Sequence, residues 1–423
     1  MNLPQLLAVT LLASALGAGA SPGPYSQGLD DPDNPFDAPV PGFVGPSGLG
    51  ITGGSNYLNP IFFGWATSVI NYSPAPGVAS SWSDPTLALG PVTGDNFHIV
   101  SLGDLSAQQL VDGLPPGSIT LQLTAPIANL SGADFAIFEN AFGNRTSVFA
   151  ELAFVEVSTD GITFARFPST SLTSSPIGPF ANLNPTHVHN LAGKHINSYG
   201  QSWGTPFNLD DLIDHPAVLA GWINLMEIRF IRLIDIPGNG TFQDSSGRPI
   251  YDPHLTFGSG GFDLEAIGAI SRPVSYAEWV ALKGLPPHQS APTADPNGDG
   301  LPNLLAYATG RMPDRPDNDQ PWARTDLSGS HLTVEFQRDE RASDAIFEVQ
   351  VSQDLATWHT LARATGHGPV LAMPGHTPTI SDLPAGNLAS IGVIRTVRVT
   401  DEVPIGTAPR RFIRVQVHLQ PSP

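Results

Sequence analysis

From Tyr57 to Arg272 short β-type runs recur between Gly, Pro, Asn and Asp turn signals, and several of them alternate apolar with polar residues. The clearest runs are residues 119–124, 134–138, 153–158, 226–234 and 262–270. A period of two sends successive side chains to opposite faces, as half-buried antiparallel strands require. Their lengths and turn signals predict a mainly β fold, with a jelly-roll-like β-sandwich over 57–272 and long loops. Residues 208–214 are the main helical candidate inside it. The rhythm then changes. Residues 275–285 carry an N-cap Ser275, Glu278 three positions on and a closing Gly284, which predicts a capping-box helix. Residues 303–310 predict a second short helix stopped by Gly310, so 273–313 reads as helix, loop, helix. After a polar, Pro-containing linker at 314–321, four runs (331–336, 346–352, 393–399 and 412–417) predict a small fibronectin-III-like sandwich over 322–423.

Composition sharpens this picture. The 43 Gly and 42 Pro, with only 13% charged residues, favour many turns and short strands over long helices. Residues 6–20 are apolar and end in Gly-Ala-Gly-Ala, the length and small-residue ending of a secretory signal peptide, although no basic residue precedes them. Residues 1–20 are therefore expected to be a signal peptide and 21–56, rich in Pro, Gly, Ser and Asp, a flexible leader. No later stretch is long and apolar enough to span a bilayer. A secreted or cell-surface location is expected. There are no cysteines, so no disulfide can stabilise an exported fold, and bound Ca²⁺ is a natural substitute. Acidic residues outnumber basic ones 38 to 19, and no Lys or Arg precedes Arg145. This charge balance argues against nucleic acid or anionic membrane as partner, since both need basic patches.

Three groups of residues carry candidate chemistry. The run Asp295-Pro-Asn-Gly-Asp-Gly-Leu-Pro-Asn303 matches the first nine positions of an EF-hand-type loop. Asp295, Asn297 and Asp299 would supply side-chain oxygens, Leu301 its carbonyl and Asn303 a further ligand. Position 12 is Ala306, where such a loop places a bidentate Glu. A second acidic group comprises Glu139, Glu151, Glu156, Asp235, Asp244, Asp252 and Asp263, with Asp235, Asp252 and Asp263 as a candidate second metal site. The same carboxylates could instead cap turns, face solvent, or form the acid and base pair of a glycoside hydrolase. Trp65, Trp82 and Trp203 are a candidate ligand platform, against the commoner role of aromatics as core. His187, His189 and His195 are of metal-ligand type but equally ordinary as loop residues. The sequence has no Gly-X-Ser-X-Gly elbow, no His-Glu-X-X-His and no phosphate-cradling loop.

Several phrases together resemble secreted and cell-surface proteins of the Verrucomicrobia and Planctomycetes type. They include Gly132-Ala-Asp-Phe-Ala-Ile-Phe-Glu-Asn140, Phe149-Ala-Glu-Leu-Ala-Phe-Val-Glu-Val-Ser158, Gly247-Arg-Pro-Ile-Tyr-Asp-Pro253 and Gly260-Gly-Phe-Asp-Leu-Glu-Ala-Ile-Gly268. Residues 294–305 look like a dockerin or thrombospondin type 3 calcium repeat, and Val351-Ser-Gln-Asp-Leu-Ala-Thr-Trp358 like a signature of C-terminal modules. The resemblance covers most of the chain and implies a surface or secreted binding protein, with no established reaction. The expectation is an exported, calcium-stabilised, non-catalytic binding or adhesion protein whose partner is an extracellular polysaccharide or a surface protein. The alternative is an extracellular polysaccharide hydrolase.

Overall fold

The computed structural model describes residues 25–26, 37–45, 56–144, 146–316, 321–384, 393–407 and 410–421. The expected signal peptide, most of the expected leader and residues 317–320 of the linker lie outside them. The chain is mainly β. In chain order the strands that build the first sheet are β1 (Val40–Pro41), β2 (Gly64–Ser73), β3 (Val100–Ser101), β4 (Ser118–Ile127), β5 (Phe135–Glu139), β6 (Ala153–Ser158), β7 (Ala165–Arg166), β8 (Trp203–Phe207), β9 (Ile228–Asp235) and β10 (Asp263–Ala269). They form one curled antiparallel sheet in the order β1-β8-β5-β10-β2-β4-β9-β6-β7, with β3 beside β10.

Alternation explains how this sheet is covered. In β5, Phe135 and Ile137 enter the main core with Leu121, Val155 and Leu233, while Ala136 and Phe138 enter a second cluster with Val40, Phe62 and Ile270. In β9, Ile231 and Leu233 point inward and Arg232 stays partly exposed. The parity continues through Asp235, so a carboxylate arrives at a core-facing position. Arg232 and Arg166 both engage Glu156 of β6 from neighbouring strands, so that glutamate is neutralised across the sheet.

Order begins earlier than the alternation signal at Tyr57. Within the stretch expected to be a flexible leader, β1 pairs with β8, and Phe43–Val44 pairs with Tyr57–Leu58. Asp37 is buried against Lys194, its backbone oxygen contacts His195 Nε2, and its carboxylate contacts His189 Nδ1 at 3.1 Å. The composition of this segment is loop-like, but a single buried ion pair anchors it, and periodicity carries no trace of such a contact. Residues 208–214 form a 3₁₀ turn (Leu209–Leu212) capped by Asn208, shorter than the helix the sequence suggests.

The two expected helices are present as α1 (Tyr276–Leu282) and α2 (Asn303–Thr309). Ser275 caps α1 through the Glu278 amide, but the Glu278 carboxylate turns to Arg272, leaving only half of the predicted capping box. Gly310 ends α2 at φ 72°, a left-handed conformation that glycine adopts without a Cβ clash. The helices do not form a separate unit. Tyr276, Trp279, Ala306 and Tyr307 share one core with the C-terminal strands.

Those strands form two four-stranded antiparallel sheets. One joins Ala323–Ser328, His331–Asp339, Ile394–Pro404 and Thr379–Pro384; the other joins Leu371–Ala372, His359–Thr365, Ala345–Ser352 and Phe412–Leu419. The four runs with alternation in the sequence are all strands, and Phe336 stacks on Phe347 between the sheets with centroids 5.5 Å apart. The other four strands have weak or exposed alternation, as in Ala323–Ser328, where five of six residues are exposed. The two halves of the chain meet at Arg341. Its guanidinium pairs with Asp339, donates to the Ile61 carbonyl at 2.6 Å and lies 4.2 Å from the Phe63 ring centroid.

A buried carboxylate cluster beneath a surface cleft

Six carboxylates collect at one end of the first sheet, each delivered by a strand end or an adjoining turn. Glu139 ends β5, Asp235 ends β9 and Asp263 begins β10. Glu151 lies two residues before β6, Asp104 follows β3, and Asp252 follows the short strand Pro249–Tyr251. Strand pairing places them together: Asp263 is opposite Ser101, Leu264 opposite Glu139, and Asp235 opposite Ala153. All except Asp104 are at least 95% buried, at 5% exposure or less, and the Asp104 side chain is 3% exposed.

Backbone amides hold one oxygen of most of these groups. Asp235 Oδ1 accepts from Phe262 N at 2.8 Å, Glu139 Oε2 from Ala141 N at 2.8 Å, and Asp252 Oδ2 from Leu152 N at 2.8 Å. Glu151 Oε1 accepts from Gly261 N at 2.9 Å and from Thr256 Oγ1 at 2.5 Å, while Asp104 Oδ2 accepts from Thr256 N at 3.0 Å. Asp263 Oδ2 accepts from Asn140 Nδ2 at 3.3 Å, with the Ser101 and Ser259 hydroxyls near. The remaining oxygens of four groups, Asp104 Oδ1, Glu139 Oε1, Asp235 Oδ2 and Asp263 Oδ1, are buried and make no hydrogen bond. Two other deeply buried acids behave differently. Asp134 and Glu265 have both oxygens satisfied, the first by Leu130 N and Leu209 N, the second by Thr93, Gly94 and Asn197.

The electrostatics follow from this crowding. Burial pushes the Asp263 carboxyl up to about 8. Burial, reinforced by the Asp263 charge, pushes Glu139 and Glu151 well above the usual carboxylate range. Burial and the charge of Asp104 do the same to Asp235, and burial with the charges of Asp235 and Asp104 to Asp252. Asp104 is raised by burial against the opposing amide of Thr256 and the nearby His254, whose Nε2 lies 3.9 Å from Asp104 Oδ1. That imidazole nitrogen also contacts the Leu105 carbonyl at 3.1 Å. Among the described residues, no group of three or more His, Asp or Glu side chains is arranged so that it could hold a metal ion as it stands.

Above the cluster lies a cleft of about 460 Å³ whose walls include Pro76, Val78, Asp104, Gln108, Thr256 and Phe257. Phe257 is 80% exposed at this cleft. Asp104 is the one member of the cluster that lines the cleft; the other five lie beneath it.

The remaining sequence candidates are distributed elsewhere. Glu156 is paired with arginines, and Asp244 caps its own turn by accepting from Ser246 N and Arg248 N. Trp65 packs on Phe62 and Phe138, Trp82 stacks near Phe97 with centroids 6.0 Å apart, and Trp203 joins a separate cluster with Leu191 and Ile196. The three tryptophans therefore do not share one face, and none lines the cleft. His189 and His195 gather at Asp37.

In the 295–303 loop, Asp295 accepts from Gly298 N and Gly300 N at 3.0 and 2.9 Å, and Asp299 Oδ1 from Leu301 N at 2.8 Å. The Asn297 amide bonds to Asp299 Oδ2 and reaches the Arg315 carbonyl at 2.8 Å. Asn303 is fully buried and donates to the Gln289 and Ala291 carbonyls, upstream of the loop. Ala306, at the position of the bidentate acid, is 1% exposed in the core beside Tyr307 and Trp279. The loop thus carries two carboxylates, Asp295 and Asp299.

Sequence reasoning selected five of the six clustered acids and missed Asp104, which stands in no repeated motif. Its signal is the pair of positive-φ glycines, Gly103 and Gly261, whose main chains meet over Asp235. Comparison with protein-family models and with curated proteins gave no match.

Proposed function

We propose that this chain is an exported, calcium-stabilised binding or adhesion protein of the cell surface, and that an extracellular polysaccharide occupies the cleft walled by Asp104, Thr256 and Phe257. In this reading the first sheet belongs to a jelly-roll-like binding module. The C-terminal sheets form a fibronectin-III-like accessory module that carries the Asp295–Asn303 loop as a Ca²⁺ site. The observation that supports binding over hydrolysis is the division of the acids: an exposed aromatic ring and a single acidic residue line the cleft, while five carboxylates are buried away from it. An exposed ring beside hydroxyl and amide groups suits stacking on a sugar face. Glycoside hydrolysis needs two carboxyls flanking one scissile bond, and Asp104 is the single acidic residue lining this cleft.

Affinity electrophoresis in Ca²⁺-containing gels cast with xylan, laminarin, pectin or alginate tests this reading. The wild-type chain should be retarded by at least one of them, and Phe257→Ala should lose at least tenfold in affinity, as removal of a stacking ring costs about 1.4 kcal/mol or more. Unretarded migration in all four gels would overturn the polysaccharide assignment. Release of new reducing ends from the retarding polymer would replace it with the hydrolase.

A further inference from the structure

We infer that the buried carboxylates form a divalent-cation site, filled by Ca²⁺, in which the unbonded oxygens of Asp104, Glu139, Asp235 and Asp263 are the principal ligands. Glu151 and Asp252 complete its charge. This site is separate from the 295–303 loop and does not depend on the cleft holding a polysaccharide.

Three observations carry the inference. The first is the set of buried, unbonded oxygens on groups whose other oxygen is already held, by a main-chain amide in Asp104, Glu139 and Asp235 and by the Asn140 side-chain amide in Asp263. An ionised oxygen taken out of water without a partner is costly, and in a folded protein it is expected to meet a proton, a donor or a metal. Asp134 and Glu265 show that this fold supplies donors to buried acids when only a structural role is required.

The second is the lack of compensating side-chain charge. Lys194, the buried lysine of this half, is committed to Asp37, and Arg232 and Arg166 to Glu156. His254 is the cationic-type side chain nearest the cluster, and its closest nitrogen is 3.9 Å from Asp104 Oδ1. Among the described residues no Lys or Arg pairs with any of the six acids, which leaves the partner of their ionised forms to be an external cation.

The third is a close main-chain approach around the acids. A Cβ on Gly261, at φ 75°, would lie 2.7 Å from Asp235 Oδ1 and 2.7 Å from the Gly103 carbonyl oxygen. A Cβ on Gly238 would lie 1.7 Å from Asp252 Oδ1. Glycine at both positions lets the main chain pack directly against the carboxylates and leaves the Gly103 carbonyl free of side-chain cover.

The donor set selects the ion. Carboxylate and carbonyl oxygens without thiolate suit a hard cation, and so many carboxylates suit the six to eight ligands of Ca²⁺ better than the tight octahedron of Mg²⁺. Binding of the ion displaces any protons the acids hold and draws the free oxygens inward. Asp104 then stands between ion and cleft, so occupancy of the site also fixes one wall of the cleft.

The test uses the full chain, stripped by chelation and then titrated with Ca²⁺ alone. Wild type should gain roughly 10 °C in melting temperature. Asp235→Asn, which keeps the oxygen that accepts from Phe262 N, should lose most of that gain, and so should Asp263→Asn. Asp295→Ala combined with Asp299→Ala should keep the gain. If an Asn variant fails to fold, wild type still decides the matter: tight Ca²⁺ uptake that survives the loop double variant supports the site. No calcium-dependent shift in wild type, with Asn variants melting higher in chelator and calcium alike, would show that the cluster holds protons instead. A shift abolished by the loop variants would move the ion to the loop and overturn the inference, while leaving the polysaccharide-gel result untouched.

Discussion

Replacing Asp37 by Ala is expected to lower the unfolding free energy by about 3–5 kcal/mol, the cost of leaving a buried charge without its partner. Lys194 has no exposed surface, and Asp37 is its carboxylate partner; its other polar contact is the Val188 carbonyl at 2.9 Å. The tie also fixes the chain upstream of β1, because Asp37 accepts from Ser26 N at 2.7 Å and Tyr25 stacks on His189 with centroids 4.4 Å apart. Urea unfolding checks the value. Asp37→Leu combined with Lys194→Met should recover most of the loss, because an apolar pair removes both buried charges.

The same pair sets a pH response. Burial raises the Asp37 carboxyl, but Lys194, then His189 and His195, outweigh it and hold the group far below its ordinary value of 3.8. A depressed acid contributes stability above its unfolded value and loses it as pH falls. Wild type should therefore shed this contribution progressively below about pH 4, whereas Asp37→Ala should show a correspondingly smaller acid-dependent loss over the same range.

Arg341→Ala is expected to cost about as much, 3–5 kcal/mol, by stranding a buried carboxylate at the junction of the two halves. Asp339 receives Arg341 Nε at 2.9 and 3.1 Å on its two oxygens and Nη2 at 2.7 Å, and both side chains are 3% exposed. The variant also removes the donor to the Ile61 carbonyl and the cation over Phe63. If Arg341 is a hinge between halves as well as a stabiliser, the loss should be accompanied by faster proteolysis near 272–274, where Val274 N donates to the Arg341 carbonyl at 2.8 Å. Limited proteolysis read by mass spectrometry locates the first cut.

How far the fold was legible follows from what alternation can and cannot carry. Strands such as β5 and β9 declared themselves as short apolar-rich runs between turn signals, and Gly310 marked the end of α2. Exposed or very short strands, including Ala323–Ser328 and Leu371–Ala372, lack a buried face and so leave no pattern. The helix-loop-helix segment was legible as elements but not as part of the C-terminal core, because Tyr276 and Tyr307 meet partners dozens of residues away. Parity could have carried the candidate site further. Asp235 continues the inward series of Ile231 and Leu233, and Glu139 that of Phe135 and Ile137. A carboxylate on a core-facing parity is a stronger signal than a carboxylate near a turn, and it separates Asp235 and Glu139 from Glu156, which also lies on a strand but meets arginines. Which oxygens remain unbonded is a matter of main-chain amides from Phe262 and Ala141, and that is set only in three dimensions.

The most direct measurement is the calcium content of the purified full chain after exchange into buffer with micromolar free Ca²⁺, by inductively coupled plasma mass spectrometry. The predicted result is at least one equivalent of Ca²⁺ per chain in wild type, of which one is retained when Asp295 and Asp299 are both Ala and one is lost in Asp235→Asn. A folded wild-type chain that carries no Ca²⁺, or whose Ca²⁺ vanishes with the loop substitutions and persists in Asp235→Asn, would contradict the account.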